Sequence, residues 1–304
     1  MSRLFVCALI MLFAAPLHAA ELRVVTSFSI LGDLIRQIGG ERVEVIELIG
    51  PDGDLHTWQP RPSDARTVKE ADLVILHGLG LDTQLERLAE SVGVHHIMTA
   101  TENVAPLEYH AGHDHSHHDH DHDHHEHGNL DPHAWQDVNN VRQHYIVNIA
   151  AALIARDPDG RDAYTAQLLD YERTLHELDA EIRSRLGTLP QEKRKVVTSH
   201  DAFAYFGAAY DIHFLAAASA SSHGEPSAAA LARLIRQLRE TDAPVVFLEN
   251  LSNPRLIKRI RAETGARLGG TLYSDALSRA DGPAATYVAM MRHNLETLMA
   301  GLAP

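Results

Sequence analysis

Short apolar, β-rich runs alternate with amphipathic helical segments along the first third of the chain. The pattern predicts strands at 22–26, 43–49, 72–76 and 94–98, and helices at 30–38, 63–70 and 81–91. Strands that alternate with helices in this way form a parallel sheet covered by helices. The first part of the chain is therefore predicted to be an α/β lobe.

The longest helical pattern lies near the middle of the chain. Apolar residues spaced by threes and fours run from about Asp159 to Leu186, and Gly187 and Pro190 follow as stop signals. At 1.5 Å per residue this helix would be roughly 40 Å long. A helix of that length favours a stiff link between two lobes over an ordinary surface helix.

The α/β pattern restarts just after this helix. Strands are predicted at 195–199, 212–216, 245–249 and 267–269, with helices at 228–239 and 254–264. A further helix is predicted at 140–156, before the long helix. We detect no internal sequence repeat, so only the architecture repeats. The fold class is α/β, with two lobes, each a parallel-type sheet with flanking helices, joined by one long rigid helix. The predicted division is a signal peptide at 1–20, an N-terminal lobe at 21–157, the linking helix at 158–187 and a C-terminal lobe at 188–304.

The N-terminus has the pattern of an export signal. Arg3 precedes an apolar run from Leu4 to Leu17, and small residues allow cleavage near Ala20. The run is too short to span a bilayer, which disfavours a retained membrane anchor. Cys7, the only cysteine, lies inside it, so the mature chain has no disulfide. An exported protein without disulfides is expected to be a well-packed resident of the periplasm.

The composition supports a globular protein that binds cations. The hydrophobic fraction is 45%, and the formal net charge of −14 becomes −15 when Arg3 leaves with the signal. An acidic surface disfavours nucleic acid and anionic lipid as partners. We expect a monomer.

A histidine-rich acidic segment lies within the N-terminal lobe at 110–127 and reads HAGHDHSHHDHDHDHHEH. Its histidines are His110, His113, His115, His117, His118, His120, His122, His124, His125 and His127. Imidazole and carboxylate at almost every position attract divalent metal, while the lack of apolar residues predicts a mobile loop. An expression tag would lie at a terminus and would not alternate with Asp. Such a loop is expected to bind several ions weakly, as an auxiliary low-affinity site.

Outside this segment, three histidines and one aspartate lie beside predicted strand ends or helix starts. His56 follows the second strand, His133 precedes a helix, His200 ends a strand, and Asp275 follows the last strand. Open α/β sheets bind ligands at such positions. Taken singly, each residue is more simply explained as a hydrogen-bonded or surface residue. Taken together, they could converge between the lobes, and three imidazoles with one carboxylate suit a four-coordinate zinc ion.

The chain resembles the metal-binding solute receptors of bacterial ABC transporters, the zinc and manganese cluster. It looks most like the zinc-specific members that carry a His-rich loop. The resemblance covers essentially the whole mature chain, and it rests on the motifs TSFSI (26–30), DLHTW (54–58), DPHAW (131–135), HDAFAYF (200–206), EPS (225–227) and LYSDAL (272–277). It implies two α/β lobes joined by a rigid helix, a metal in the interlobe cleft, and delivery to an ABC permease of the inner membrane. A periplasmic zinc metallochaperone is a second candidate partner.

The resemblance also assigns the ligands. His56 and His133 match the N-lobe ligands of the family, and His200 and Asp275 match its C-lobe ligands. Manganese members resemble this pattern but carry Glu at the position of His200. An imidazole in place of a hard oxygen donor moves the preference toward zinc. The expected cargo is therefore Zn²⁺.

Four protein donors around one ion leave no open position for an activated water, which indicates capture of the metal rather than catalysis. We therefore expect a high-affinity periplasmic zinc receptor, not an enzyme. A zinc-dependent hydrolase is the alternative, although neither an H-E-x-x-H helix nor a G-x-S-x-G elbow supports it. A metallochaperone or storage protein that acts through the loop alone is a third possibility.

A few further residues have predicted roles around the site. Glu249 ends a strand and is expected either to line the cleft or to orient His200 as a hydrogen-bond acceptor. Trp58 and Trp135 each follow a ligand by two positions and are expected to wall the site with apolar bulk. His77 is expected to be an ordinary packed residue. His223 lies on a predicted cleft loop and could approach the metal, although a solvated loop position is the favoured interpretation.

Overall fold

The computed structural model describes residues 22–108, 130–218, 245–251 and 254–303, together with positions 231–232, 235–236 and 239. The predicted signal peptide, the histidine-rich segment 110–127 and His223 lie outside the described residues. So does most of the predicted helix 228–239. Within the described part of the chain, no helix is both long enough and apolar enough to cross a membrane.

The first lobe contains a four-stranded parallel sheet with flanking helices. Its elements are β1 (Leu22–Phe28), α1 (Ser29–Gly39), β2 (Val43–Ile49), α2 (Pro62–Lys69), β3 (Leu73–Leu76), α3 (Thr83–Ser91) and β4 (Ile97–Thr99). The strand order is β2-β1-β3-β4, and every pairing is parallel. Residues Leu73–Leu76 are all buried because β3 is covered on both faces, as expected for an apolar run in a parallel sheet.

A helical region connects the two sheets. A 3₁₀ turn at Ala134–Gln136 leads through a short helical turn and a π-helical turn at Val141–Tyr145 into α4 (Ile146–Arg156). The long helix α5 (Arg161–Leu186) follows, with 26 residues and hence about 39 Å of length. One stripe of α5 is buried, comprising Tyr164, Tyr171, Leu175, Leu178, Ile182 and Leu186. The amphipathic spacing in the sequence thus identified the face that packs inward.

The second lobe repeats the arrangement of the first. It contains β5 (Lys195–His200), α6 (Ala204–Tyr210), β6 (His213–Ala218), β7 (Val245–Glu249), α7 (Pro254–Thr264), β8 (Arg267–Leu272) and α8 (Tyr287–Leu302). The strand order β6-β5-β7-β8 is again parallel and follows the same relative order as the first sheet. The predicted fold class is confirmed: two parallel-sheet lobes with flanking helices, joined by a long helix.

Local details differ from the sequence expectations at the C-terminal side of α3. The predicted strand at 94–98 begins only at Ile97. Gly93 takes a φ of 79°, and the amide of Val94 donates to the carbonyl of Ala89 at 2.9 Å. Val94 therefore terminates the preceding helix, in the geometry that a left-handed glycine allows, rather than starting a strand.

The last strand is longer than the sequence pattern predicts, and the last helix is not among the predicted elements. β8 continues through Gly269 and Gly270 to Leu272. Position 269 is a glycine because the Cβ of any other residue would lie about 2.4 Å from the Phe247 ring. These glycines permit close packing against β7 and do not end the strand. The helix α8 was not predicted, although Tyr287, Met291, Leu295, Leu298 and Leu302 have helical spacing and are buried.

The two lobes share one hydrophobic core. A single cluster of buried side chains contains Phe28 of β1, Trp135, Leu178 of α5, Phe206 of α6 and Tyr287 of α8. The C-terminal helix α8 contacts β8 of its own lobe and also α1 and α5. The lobes are therefore packed against each other and are not independent bodies on a linker.

Candidate metal centre

The carboxyl ends of the two sheets carry three of the four predicted ligands. His56 lies in the turn after β2, where its amide donates to Asp54 Oδ1 at 2.9 Å. His200 is the last residue of β5, and Asp275 follows β8 by three positions. His133 lies just before the 3₁₀ turn at Ala134–Gln136. Parallel sheets place these ends on one side, which is why residues so distant in sequence share one cleft.

The structure brings all four side chains together. One ligand atom from each of His56, His133, His200 and Asp275 lies within 4.8 Å of every other. Asp275 is central: its Oδ1 is 3.2 Å from His133 Nε2, and its Oδ2 is 3.1 Å from His200 Nε2 and 4.0 Å from His56 Nε2. Within the described residues this is the one group of histidine, cysteine, aspartate or glutamate side chains with metal-binding geometry.

These distances suit a small tetrahedral ion. Bonds of about 2.0–2.1 Å would place four donors about 3.3 Å from one another. The distances from Asp275 to His133 and His200 are close to that value, whereas the distance from Asp275 to His56, 4.0 Å, is longer. The site is also shielded from water, since His133 is 0% and Asp275 2% exposed. Such a cluster can hold a metal without extensive rearrangement.

A buried carboxylate orients His133. Asp131 Oδ1 accepts a hydrogen bond from His133 Nδ1 at 2.7 Å and another from the His133 amide at 2.9 Å. With the proton on Nδ1, the lone pair of Nε2 faces Asp275 and the centre of the cluster. Carboxylates that fix the tautomer of a ligating histidine are common around metal sites. In the sequence Asp131 lies in the family motif DPHAW, two positions before His133, but that spacing alone does not predict the hydrogen bond.

Glu249 has the same relation to His200. Its Oε2 lies 2.5 Å from His200 Nδ1, while its Oε1 accepts from the amides of Ser199 and His200 at 2.8 and 2.9 Å and from Ser199 Oγ at 2.5 Å. Glu249 is 3% exposed and ends β7, beside β5 in the sheet. The structure thus places Glu249 where the sequence predicted an acceptor for His200.

The buried charges perturb one another strongly. Burial alone would lower the pKa of His133, but its hydrogen bonds with Asp131 and Asp275 outweigh burial and raise that pKa to about 9. Burial likewise opposes a charge on His200, yet the negative charges of Glu249 and Asp275 hold its pKa well above the ordinary value. Burial would raise the pKa of Asp275, but His200 and His133 keep it well below 3.8. A cation that enters must therefore displace protons from the imidazoles.

The two tryptophans behave differently from each other. Trp135 is 0% exposed, and its ring lies 5.2 Å from that of His133, centroid to centroid, so it walls the site as expected. Its Nε1 also donates to the carbonyl of Ser274 at 2.9 Å, a polar role that the sequence did not indicate. Trp58 is only partly buried and packs against the core shared by the two lobes and against a second cluster within the first lobe.

His77 supports the site rather than merely filling the core. It is 0% exposed, and its Nε2 lies 2.7 Å from the carbonyl oxygen of Pro132, the residue before His133. Because a carbonyl only accepts, Nε2 must carry the proton. Burial lowers the pKa of His77 to about 3, so this donor is neutral. No local sequence pattern indicates this role, because the contact joins residues 55 positions apart.

Two packed α/β lobes with a buried His₃Asp cluster in the cleft between them define a two-lobed metal-binding receptor. Residues 24–301 match the family described as ZnuA, zinc-uptake complex component A, periplasmic. The chain belongs to this family of solute-binding proteins of metal ABC transporters, whose members bind and pass on a substrate rather than convert it.

Relatives and solved structures agree with the family. The chain is 34% identical to the manganese-binding lipoprotein MntA of Halalkalibacterium halodurans, over 98% of this chain and 97% of that protein. It is 32% identical to the iron-binding protein YfeA of Yersinia pestis, over 93% and 87%. Among solved structures it is similar to the periplasmic zinc binding protein TroA from Treponema pallidum. That match has a TM-score of 0.82, 27% identity, and covers 93% of this chain and 100% of TroA.

Proposed function

We propose that the protein is a periplasmic, high-affinity zinc receptor that delivers Zn²⁺ to an ABC permease for uptake. His56, His133, His200 and Asp275 are the metal ligands in this proposal. The observation that carries it is the third imidazole: His200 Nε2 points at Asp275 Oδ2 from 3.1 Å, inside a cluster with His56 and His133. Three nitrogens and one oxygen match the donors and the coordination number that zinc favours.

The choice of zinc rests on the donor set and not on the relatives. The names of these similar proteins specify manganese for MntA, iron for YfeA and zinc for TroA. Manganese favours oxygen donors, whereas imidazole suits zinc. Asp131 and Glu249 strengthen the case, because each fixes a proton on Nδ1 of a histidine and leaves the Nε2 lone pair for the ion.

The proposal includes an auxiliary role for the histidine-rich segment 110–127. It ends a few residues before His133 in sequence, so a ligand-rich arm there would raise the local zinc concentration beside the cleft. We also propose that the chain is exported with cleavage near Ala20, acts as a monomer, and can receive zinc from a periplasmic metallochaperone.

A competition titration on the chain from residue 21 onward tests the metal assignment. Wild type, His200→Glu and the control His213→Glu are each titrated with Zn²⁺ and Mn²⁺ against a chromophoric chelator. His213 is exposed at the start of β6, so its replacement adds the same charge away from the cluster. We expect wild type to prefer zinc, and His200→Glu to narrow that preference at least about tenfold, or about 1.4 kcal/mol. A wild-type preference for manganese would refute the zinc assignment.

A further inference from the structure

The peptide bond just before Asp275 is fixed by the opposite lobe. The carbonyl of Ser274 accepts hydrogen bonds from Trp135 Nε1 and from Gln136 Nε2, both at 2.9 Å and both buried. Ser274 and Asp275 belong to the segment 273–286 between β8 and α8, here called the Asp275 segment. By sequence it is part of the second lobe. Trp135 and Gln136, however, directly follow the first-lobe ligand His133.

Further hydrogen bonds attach the same segment to the first lobe. The amide of Leu277 donates to Ser29 Oγ at 3.0 Å, and the carbonyl of Leu277 accepts from the amide of Asp52 at 2.9 Å. Where the segment enters α8, the amide of Tyr287 donates to Asp33 Oδ2 at 2.8 Å, and its hydroxyl donates to the carbonyl of Trp135 at 2.7 Å. The segment is therefore bonded to the first lobe at Ser274, at Leu277 and where it joins α8.

Its bonds to the end of β7 are longer. The amide of Ser274 donates to Asn250 Oδ1, and Asn250 Nδ2 donates to the carbonyl of Ala276, each at 3.3 Å. A second asparagine, Asn294, binds both the amide and the carbonyl of Tyr273 at 2.8 Å, but it lies on α8, which also packs on α1 and α5. Hydrogen bonds of 3.3 Å are at the weak end of the range. The hydrogen bonds that join Ser274 and Leu277 to the first lobe are thus shorter than those that join the segment to Asn250.

His200, in contrast, is bonded to the second sheet. Its amide and its ring both bind Glu249, which lies on the neighbouring strand of the second sheet. Beside the site, the hydroxyl of Tyr205 on α6 links this sheet to the first lobe. It accepts from the amide of Leu107 at 2.9 Å and donates to the carbonyl of Asp131 at 3.2 Å. His200 therefore moves with the second sheet, and Tyr205 holds that sheet against the first lobe.

From these contacts we infer that the ligands divide three to one and not two to two. His56, His133 and Asp275 form a fixed platform on the first lobe, with Trp135 and Gln136 as the residues that position Asp275. His200 is the ligand that the second sheet brings to the ion and withdraws. This inference rests on the ligand set proposed above. When His200 withdraws, a bound zinc keeps three protein donors and gains an open position, through which water or a receiving ligand can enter.

Hydrogen exchange of the mature protein tests the division directly. Exchange is followed by mass spectrometry with and without saturating Zn²⁺, after a titration has established that zinc is bound. We expect zinc to slow exchange about tenfold or more in peptides covering 195–210, and less than about twofold in those covering 274–287. Equal or greater slowing at 274–287 would overturn the three-to-one division, and so would no slowing at 195–210. A protein that binds no zinc would instead refute the proposed function.

Two Tyr→Phe variants distinguish the effect of losing the Tyr205 hydroxyl bonds from the effect of a general loosening of α6. Tyr205→Phe removes the link to Leu107 and Asp131. The control Tyr210→Phe removes a hydroxyl bonded to Asp179 from the same helix, away from the cluster. Tyr205→Phe should speed zinc release about threefold to tenfold, measured by stopped-flow transfer to a chelator, with 274–287 as protected as in wild type. Unchanged release, or new exchange at 274–287, counts against the proposal.

Gln136→Leu tests the positioning of Asp275, and Gln143→Leu, at an exposed position, is the matched control. Loss of the amide donor should increase exchange at 274–287 in the metal-free protein and weaken zinc binding about tenfold. Exchange at 195–210 should stay as in wild type, which overall destabilisation of the fold would not allow. Wild-type zinc affinity in Gln136→Leu would overturn the assignment.

Discussion

Glu249 holds His200 in a single orientation, with Oε2 2.5 Å from the ring Nδ1 and Oε1 fully engaged by the amides of Ser199 and His200 and by Ser199 Oγ. The donors around Oε1 fix which carboxylate oxygen faces the ring. The proton of the imidazole is therefore placed on Nδ1, and Nε2 is left as the atom that faces Asp275.

Replacement of Glu249 by Gln should reverse this tautomer. The amide oxygen must stay with the donors of Ser199 and His200, so the amide NH₂ would face Nδ1 and drive the proton to Nε2. Even the neutral ring would then carry its proton on Nε2, and zinc could bind there only by breaking the new hydrogen bond at Nδ1. We expect zinc affinity to fall about 10- to 100-fold, measured by competition titration. Glu263→Gln, at an exposed position of α7, should bind zinc like wild type.

Asp131→Asn should reduce zinc affinity less than Glu249→Gln. A single oxygen, Oδ1, accepts from both the amide and the ring of His133, and the amide oxygen of Asn can do the same. The loss should stay near the lower end of the same range, about tenfold. If Asp131→Asn proved the more damaging of the two, a fixed tautomer would not be the reason these carboxylates matter.

Zinc affinity should rise with pH, because protons compete for the ligands. The pKa of His133 is raised to about 9, and that of His200 is also above its ordinary value. Zinc binding must displace these protons throughout the neutral range, so affinity should increase steadily from pH 6 to pH 9. Calorimetry in buffers of different ionisation enthalpy should detect proton release at pH 7. Binding that is independent of pH across this range would contradict these protonation states.

The metal-free protein should show the opposite trend in stability. A folded pKa above the unfolded value of 6.5 stabilises the fold fully below pH 6.5, and this contribution is lost as pH rises through about 9. The free energy of unfolding in urea, with a chelator present, should therefore fall between pH 6.5 and 9. His133→Gln should reduce that slope, whereas His176→Gln, on the outer part of α5, should not.

The lowered pKa of His77 makes the free energy of unfolding depend on pH in the opposite direction to that of His133. Burial lowers the pKa of His77 to about 3. Between pH 6.5 and about 3, the unfolded chain therefore binds a proton at His77 that the folded chain does not bind. The stability due to a neutral His77 is present above pH 6.5 and is lost as pH falls toward 3. His77→Gln keeps a donor for the Pro132 carbonyl but cannot titrate, so its unfolding free energy should fall less steeply than wild type between pH 6.5 and 4. Parallel curves for the two proteins would rule out a neutral buried His77.

Deletion of 110–127 separates a receptor from a storage protein. If the cleft is the tight site, the shortened chain should keep one high-affinity zinc and lose only weak, multiple binding. Capture from dilute zinc should slow, because the local concentration beside the cleft falls. Stopped-flow capture and equilibrium titration on the same samples distinguish these effects. Loss of nearly all binding would favour storage by the loop, and equal capture rates would remove its proposed role.

The fold was largely readable from the sequence because its signals are local. Alternating strands and helices and the buried stripe of α5 gave the two-lobed class. The predicted bounds of two strands were wrong because a residue that usually marks a strand end or a strand start has another role here. Gly269 looked like a strand end, but it allows the Phe247 ring to approach, and Val94 looked like a strand start, but it closes the end of α3.

The cluster itself was predicted residue by residue, from junction positions and from the family resemblance. The residues that arrange it were harder to find. Glu249 could be proposed because it ends a strand, as His200 does. The partners of Pro132 and Ser274 could not, because His77, Trp135 and Gln136 reach them through contacts between residues 55 to 139 positions apart, without a local pattern.

The common hydrophobic core has a consequence for the permease. Because Phe28, Leu178 and Tyr287 belong to one buried cluster, wide separation of the lobes would expose apolar surface to water at a large cost in free energy. We therefore expect a loaded receptor and an empty one to have nearly the same outline. We expect the transporter to recognise cargo from small changes at the rim of the cleft, where β5 and α6 meet the first lobe, and not from the overall shape of the molecule.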